Sequence, residues 1–127
     1  MVLVDSSIWI EYFKGNKSAL PLNKILDLNS VCINDLILTE LLPSINHKKE
    51  DKLKELLLIV AKVPLEINWN ELINMQTFNL KNGINKVGIN DLIIVQNTIN
   101  NDLELFSFDR HFESMSKLFG FRLFPVK

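Results

Sequence analysis

Apolar residues follow two patterns that alternate along the whole chain. Short, mostly apolar runs, typical of buried strands, occupy residues 2–4, 31–33, 63–67, 103–108 and 121–124. Between these runs, apolar residues recur at the i, i+3, i+4 and i+7 spacing of amphipathic helices, most clearly in residues 47–60. Strands that alternate with helices predict an α/β fold with a mostly parallel central sheet.

Local signals indicate where the predicted helices begin and end. Asn34 is a suitable N-cap for a helix that runs toward Pro43, and Gly120 follows a helical stretch where a glycine commonly ends it. The other predicted helices cover residues 8–14, 18–28, 47–60, 69–80, 90–100 and 109–118. A chain of 127 residues is long enough to bury one core, so we expect a single domain, 1–127.

Four acidic residues lie within or beside strongly apolar segments: Asp5, Glu40, Asp91 and Asp109. Their flanks predict burial, and a buried carboxylate is costly unless it is paired or holds a cation. The four are spread over the whole chain, so only folding can bring them together. If they converge, their oxygens would form a site suited to Mg²⁺ or Mn²⁺.

A simpler explanation exists for each of these acids. Asp5, Asp91 and Asp109 each fit an N-cap or first-turn position, where a carboxylate accepts bonds from free backbone N–H groups. Capping and metal binding are compatible, because a carboxylate has two oxygens. Glu40 lies in the middle of a predicted helix, where the alternative is exposure to solvent or pairing with a lysine.

Further residues near the acids or in a predicted strand also have candidate roles. Ser7 and Ser107 could each donate a hydroxyl hydrogen bond that orients a neighbouring carboxylate, or act only as capping or turn residues. His111 is not expected to bind metal, because no second His or Cys stands at a zinc-like spacing. Cys32 lies between Val31 and Ile33 and is expected to be a small buried hydrophobe.

Composition limits the classes of partner and the compartment. The formal net charge is −1, so bulk charge does not indicate a nucleic-acid partner, and any phosphate-binding surface must be local. A single cysteine excludes an internal disulfide, which suits a reducing compartment. No secretory signal pattern and no apolar run of ~20 residues is present, so we expect a soluble cytoplasmic protein without a membrane span.

Four short motifs together resemble those of a known family. They are residues 2–10 (VLVDSSIWI), 38–42 (LTELL), 88–94 (GINDLII) and 105–112 (LFSFDRHF). In this order and α/β context they resemble a PIN-domain ribonuclease, specifically a small VapC-type toxin of a toxin–antitoxin pair. The residues beside Asp91 are bulkier than the alanine-rich helix often found there, which changes packing but keeps the acid.

The resemblance implies a PIN-like three-layer sandwich and a metal-dependent endoribonuclease. It assigns Asp5 and Asp91 as the main ligands of Mg²⁺, or Mn²⁺, with Glu40 bound directly or through water and Asp109 completing the site or holding a second ion. It further implies cleavage of tRNA or rRNA loops to 5′-phosphate and 3′-hydroxyl ends, a homodimer and a cognate antitoxin. The backbone-phosphate contacts of the RNA would be basic residues: Lys14, Lys81, Lys86 and Arg110.

Three alternatives to the toxin interpretation remain open at this point. The chain could be a PIN nuclease of RNA processing or of DNA, outside toxin–antitoxin systems. It could also be a PIN-like interaction module without turnover, although all four acids are present. A phosphoaspartate enzyme is disfavoured, because Ser7 stands where such enzymes have a second aspartate after Asp5.

Overall fold

The computed structural model describes residues 1–125 and contains a five-stranded sheet. The strands are β1 (Val2–Val4), β2 (Val31–Ile33), β3 (Ala61–Lys62), β4 (Glu104–Phe106) and β5 (Arg122–Leu123). Their order is β3-β2-β1-β4-β5, and all four pairings are parallel. The predicted α/β class is therefore confirmed, with a sheet that is parallel throughout. The predicted domain, 1–127, extends two residues past the described ones.

Seven α-helices connect these strands within residues 1–125. They are α1 (Ser6–Phe13), α2 (Pro21–Asp27), α3 (Asp35–His47), α4 (Asp51–Ile59), α5 (Trp69–Lys81), α6 (Ile89–Asn100) and α7 (Arg110–Phe119). Parallel strands are joined by right-handed crossovers, so α1 to α4 cover one face of the sheet and α5 to α7 the other. The helix contacts agree, since α1 and α4 each touch α3, whereas α5 and α7 each touch α6.

Several local signals operate as the sequence predicts. The side chain of Asn34 accepts a hydrogen bond from the backbone N of Ile37 at 2.9 Å and so caps α3. Gly120 follows α7 with φ of 78°, a left-handed conformation that glycine adopts without a steric penalty. Cys32 is buried, and burial raises the pKa of its thiol to about 11, which agrees with a structural role.

Two predicted boundaries in the middle of the chain are wrong. Helix α3 continues through Pro43 to His47, and α4 begins only at Asp51, so residues 47–60 are not one helix. Proline removes one helical hydrogen bond, but Ile45 in the extra turn is buried in the core and offsets that loss.

The third strand also lies earlier than predicted, at Ala61–Lys62 instead of 63–67. Val63 still donates a backbone hydrogen bond to Ile33 at 2.9 Å, but Pro64 has no N–H with which to extend the pairing. None of the helices in the described part of the chain is long and apolar enough to cross a membrane.

The strand order predicts a crevice at the carboxyl ends of the two central strands, β1 and β4. The chain proceeds from β1 outward to β2 and β3, then returns to the other side of β1 for β4 and β5. In open parallel sheets, ligands bind at such a reversal, beyond the carboxyl ends of the two central strands. Asp5 directly follows β1, and Ser107 directly follows β4, so both lie at this position.

Candidate acidic active site

Asp5 is the buried centre of the acidic cluster. It is only 6% exposed, and its backbone N donates to the carbonyl of Phe106 at 2.9 Å, which fixes it at the end of β1. Two hydroxyls donate to the same carboxylate oxygen, Oδ2: Ser7 at 2.9 Å and Ser107 at 2.8 Å. Asp5 occupies the N-cap position of α1, yet its side chain does not cap that helix.

The two serines also connect the ends of β1 and β4. The Ser107 hydroxyl accepts a hydrogen bond from the backbone N of Asp109 at 3.1 Å, and the Ser7 hydroxyl accepts one from Phe108 at 3.4 Å. Each serine therefore uses its hydroxyl as donor to Asp5 and as acceptor from the loop after β4. This arrangement fixes the orientation of the Asp5 carboxylate, and no partner within residues 1–125 hydrogen-bonds its Oδ1.

Asp109 caps α7 and still belongs to the cluster. Its Oδ1 accepts a hydrogen bond from the backbone N of His111 at 2.9 Å, so the capping interpretation applies to this acid. One ligand atom from each of Asp91, Asp109 and His111 also lies within 4.8 Å of the other two. Capping therefore orients Asp109 without removing it from the crevice.

Asp91 and Glu40 show that the acids share one electrostatic environment. Asp91 lies in the first turn of α6, and its pKa is raised to about 6, first by burial and then by the charges of Asp109 and Asp5, while His111 lowers it. Burial, Asp5 and Asp91, in that order, raise the pKa of Glu40 on α3. Four acids that are distant in sequence thus converge at the crevice.

The prediction that all four acids are buried is correct only for Asp5. Asp5 is buried, Asp91 and Asp109 are half-buried, and Glu40 is exposed as a whole residue. The crevice is open to solvent, so only the acid at its base loses nearly all of its water. Partial desolvation of the Glu40 carboxyl group is nevertheless the first cause of its raised pKa.

Comparison with known proteins identifies the family. The sequence model described as the PIN domain matches residues 2–118. The chain belongs to the PIN domain family. This confirms the family predicted from the four motifs.

Two solved structures share the fold of this PIN domain. VapBC2 from Rickettsia felis, bound to a DNA fragment from its promoter, aligns with a TM-score of 0.76 at 16% identity over 100% of both chains. FitAcB from Neisseria gonorrhoeae aligns with a TM-score of 0.78 at 14% identity over 99% of this chain and 98% of the other. No curated protein matches the chain significantly.

The donor set of this PIN domain fits a divalent cation. Carboxylate oxygens are the preferred ligands of Mg²⁺ and Mn²⁺. Burial is the first cause of the raised pKa of Asp91, and the negative charges of Asp109 and Asp5 raise it further, so a positive charge at the cluster would balance them. A bound cation would supply that balance, and Asp5, Glu40, Asp91 and Asp109 are the residues that would hold it.

His111, which the sequence did not lead us to expect as a metal ligand, lies beside two acids of the cluster. Its Nδ1 lies 3.4 Å from Asp109 Oδ1, and the residue belongs to the group formed with Asp91 and Asp109. A search for zinc-like His and Cys spacing cannot find it, because its neighbours are carboxylates. The spacing Asp-x-His at the start of a helix is a usable signal. The N-cap carboxylate accepts a hydrogen bond from the backbone N two residues later, which brings the histidine close to the aspartate.

The four predicted RNA-binding residues are all exposed. Lys14 follows α1 and pairs with Glu11 at 3.7 Å, whereas Arg110 begins α7 beside Asp109. Lys81 ends α5, and Lys86 adopts a left-handed φ of 63° in the connection to α6. Among the described residues, none of these four cations forms an ion pair with an acid of the cluster, and only Lys14 pairs with any acid.

Proposed function

We propose that this PIN domain is a metal-dependent endoribonuclease and the toxin of a toxin–antitoxin pair. The observation that carries the proposal is the convergence of Asp5, Glu40, Asp91 and Asp109 at the reversal of strand order. Phosphodiesters are anionic, so carboxylates alone would repel them. The cluster becomes useful for phosphate chemistry only with a divalent cation, for which its oxygens are suited.

In this proposal each acid has a defined task. A bound Mg²⁺ or Mn²⁺ ion would lower the pKa of a water molecule and neutralise charge on the phosphate. Asp5, oriented by Ser7 and Ser107 through Oδ2, offers Oδ1 to the cation. Asp91 is the second main ligand, and Glu40 acts directly or through water.

Carboxylate oxygens that do not bind the first cation can transfer the proton, and Asp109 can complete the site. A carboxylate oxygen that is not engaged with the cation accepts the proton of the attacking water. Asp109, whose Oδ1 is used for capping, retains Oδ2 for a ligand role. Water forms the new O–P bond as the P–O3′ bond breaks, and the departing 3′ oxygen takes a proton from solvent, which leaves a 5′-phosphate and a 3′-hydroxyl end.

The substrate in this proposal is single-stranded RNA in a loop, of the kind found in tRNA or rRNA. The net charge of −1 disfavours binding along a long duplex, whereas a few exposed cations around a crevice suit a short unpaired segment. Lys14, Lys81, Lys86 and Arg110 are the proposed backbone-phosphate contacts. We place the activity in the cytoplasm, where these RNAs occur.

The proposed antitoxin binds beside the acids. A groove of about 290 Å³ between α1, α3 and α4 has Glu40 in its lining, together with the apolar side chains of Ile10, Phe13, Leu41 and Leu53. An antitoxin segment with apolar residues in this groove could place a basic side chain on the acidic cluster. The likeness to a VapBC structure supports this partner, since the sequence resembles VapC-type toxins.

The exposed apolar face of α5 and α6 is the proposed homodimer interface. Trp69, Ile73 and Ile89 are each at least 60% exposed. They line a groove of about 260 Å³ together with the more buried Leu72 and Leu92. Exposed apolar surface of this kind marks an interaction site more often than chance.

The decisive experiment is cleavage of total RNA by the purified protein with Mg²⁺ or Mn²⁺ and with EDTA. We expect metal-dependent cleavage that Asp5→Asn and Asp91→Asn each reduce by at least a hundredfold, since each removes a ligand charge. Asp27→Asn changes an exposed acid at the end of α2 and is the matched control, with unchanged activity.

The outcomes separate the competing interpretations. No cleavage and no binding of either ion by the folded protein would refute the nuclease and leave a PIN-like interaction module. Cleavage without any antitoxin encoded beside the protein would refute the toxin assignment and favour a nuclease of RNA processing. Cleavage that survives both aspartate substitutions would show that another site carries the reaction.

A further inference from the structure

We propose that His111 is a metal ligand which, with Asp91 and Asp109, makes the site favour a first-row transition-metal ion over Mg²⁺. This inference rests on the proposed function, because it concerns the same acidic site. His111 would then help to select the ion, a role that the four carboxylates alone would not fill.

The geometry of the three side chains fits a single ion. One ligand atom from each lies within 4.8 Å of the others, and His111 Nδ1 lies 3.4 Å from Asp109 Oδ1. Ligands bound at about 2.1 Å to one ion are separated by roughly 3 to 4 Å. Only a small inward movement of side chains would therefore bring all three into coordination.

The backbone around His111 is held firmly. Asp109 accepts the hydrogen bond of the His111 backbone N, which fixes the start of α7. The next residue, Phe112, is 1% exposed and anchors the helix in the core, as Leu92 does for α6 beside Asp91. The imidazole is attached to a rigid element, yet its side chain is 40% exposed and within reach of ions from solution.

The chemistry of the donor set gives the selectivity. Mg²⁺ prefers oxygen ligands and keeps several of its waters, so it gains little from an imidazole. First-row transition-metal ions accept nitrogen more readily, with affinities that follow the Irving–Williams order. A nitrogen beside two carboxylates should thus raise the affinity for Mn²⁺ or Co²⁺ and leave that for Mg²⁺ almost unchanged.

Metal binding to the EDTA-treated full chain tests this without any measurement of RNA cleavage. Isothermal titration gives the Kd for Mn²⁺, and competition gives the Kd for Mg²⁺. We expect His111→Gln and His111→Ala to weaken Mn²⁺ binding by about tenfold or more, with the Kd for Mg²⁺ changed less than twofold. The protein has two histidines, so His47→Gln at the end of α3 is the matched control and should bind both ions normally.

Pulsed electron paramagnetic resonance of the Mn²⁺-loaded protein gives a direct readout of the ligand. We expect a ¹⁴N coupling from a directly bound imidazole in the wild-type protein and in His47→Gln, and its loss in His111→Gln. Bound Mn²⁺ without this coupling, or an unchanged ratio of the two Kd values in both His111 variants, would overturn the inference and leave the proposed nuclease intact. Absence of Mn²⁺ binding with Mg²⁺ still bound would overturn the inference alone, whereas absence of binding of either ion would overturn both.

Discussion

At the scale of single residues, three aspartates have different roles because their surroundings differ. Asp5, Asp91 and Asp109 were equivalent N-terminal helix acids in the sequence. In the structure Asp5 accepts two serine hydroxyls, Asp109 caps a helix, and Asp91 is the acid with a pKa raised to about 6. Burial raises this pKa first, and the charges of Asp109 and Asp5 raise it further because these acids lie near Asp91 in the folded protein.

The raised pKa of Asp91 predicts how stability depends on pH without metal. The pKa rises from 3.8 to about 6 in the folded protein, so between those pH values the folded state keeps a proton that the unfolded chain has released. Stability from this group therefore falls as pH rises from about 4 to 6, and the loss is complete above that window. Asp91→Asn removes the penalty.

Thermal melts in EDTA measure this effect. At pH 7.5, Asp91→Asn should melt a few degrees above the wild-type protein, and the difference should shrink toward zero near pH 4. The exposed control Asp27→Asn should show no gain at pH 7.5. A lower melting temperature for Asp91→Asn at pH 7.5 would contradict the prediction that the ionised carboxylate destabilises the folded protein.

At the scale of elements, a buried amide pair holds together the two helices that carry Glu40 and Asp91. Asn34, the cap of α3, donates from Nδ2 to Asn97 Oδ1 on α6 at 2.9 Å. Asn97 in turn donates to the carbonyl of Pro64 at 2.7 Å. Both asparagines are at most 2% exposed, so this chain of bonds ties α3, α6 and the segment after β3 into one unit.

Removal of that link should weaken the fold strongly. Asn97→Ala deletes two hydrogen bonds and leaves the buried Nδ2 of Asn34 without its partner, at a cost of about 1–3 kcal/mol, while the exposed Pro64 loses the shorter bond to its carbonyl. We expect a loss of about 2–4 kcal/mol in the free energy of unfolding, measured by urea denaturation. Asn100→Ala, at an exposed position of the same helix, should change it by less than about 0.5 kcal/mol.

A second variant separates the link from the helix cap. Asn34→Ser keeps a side-chain oxygen that can cap α3 but is too short to reach Asn97. It should be destabilised less than Asn97→Ala, because it leaves the bond to Pro64 in place. Equal stability of Asn97→Ala and the wild-type protein would show that the link does not hold the two helices.

At the scale of the whole molecule, the two sides of the sheet present different surfaces. The groove between α1, α3 and α4 adjoins the acids, whereas α5 and α6 expose an apolar face on the other side. An antitoxin and a second copy of the chain would therefore not compete for one surface. This separation suits a toxin that binds its antitoxin as a dimer.

The proposed dimer predicts a specific response to charge on the α5 face. Ile73→Lys should convert a dimer into a monomer, because Ile73 is 63% exposed and a charge there would be buried on association. Sedimentation velocity over a range of protein concentrations measures the change. The neighbouring exposed residue Asn74 provides the control: Asn74→Lys should leave dimerisation intact. A wild-type protein that is monomeric at every concentration would refute the interface.

The sequence by itself determined what depends on near neighbours along the chain. The alternation of apolar runs and helical spacing predicted the α/β class, and Asn34 and Gly120 marked helix ends through local hydrogen bonds and backbone freedom. The acidic motifs predicted the PIN family, now confirmed. The roles of the individual acids stay predictions, because they depend on an ion and a substrate.

Only the tertiary structure decided what depends on residues far apart in sequence. Core burial of Ile45 carried α3 past Pro43, against the local preference of proline. Ser107 reaches Asp5 across 102 positions, and His111 meets Asp91 through the packing of α6 and α7. Such contacts arise from the way whole elements pack, and no local spacing along the chain encodes the distance between them.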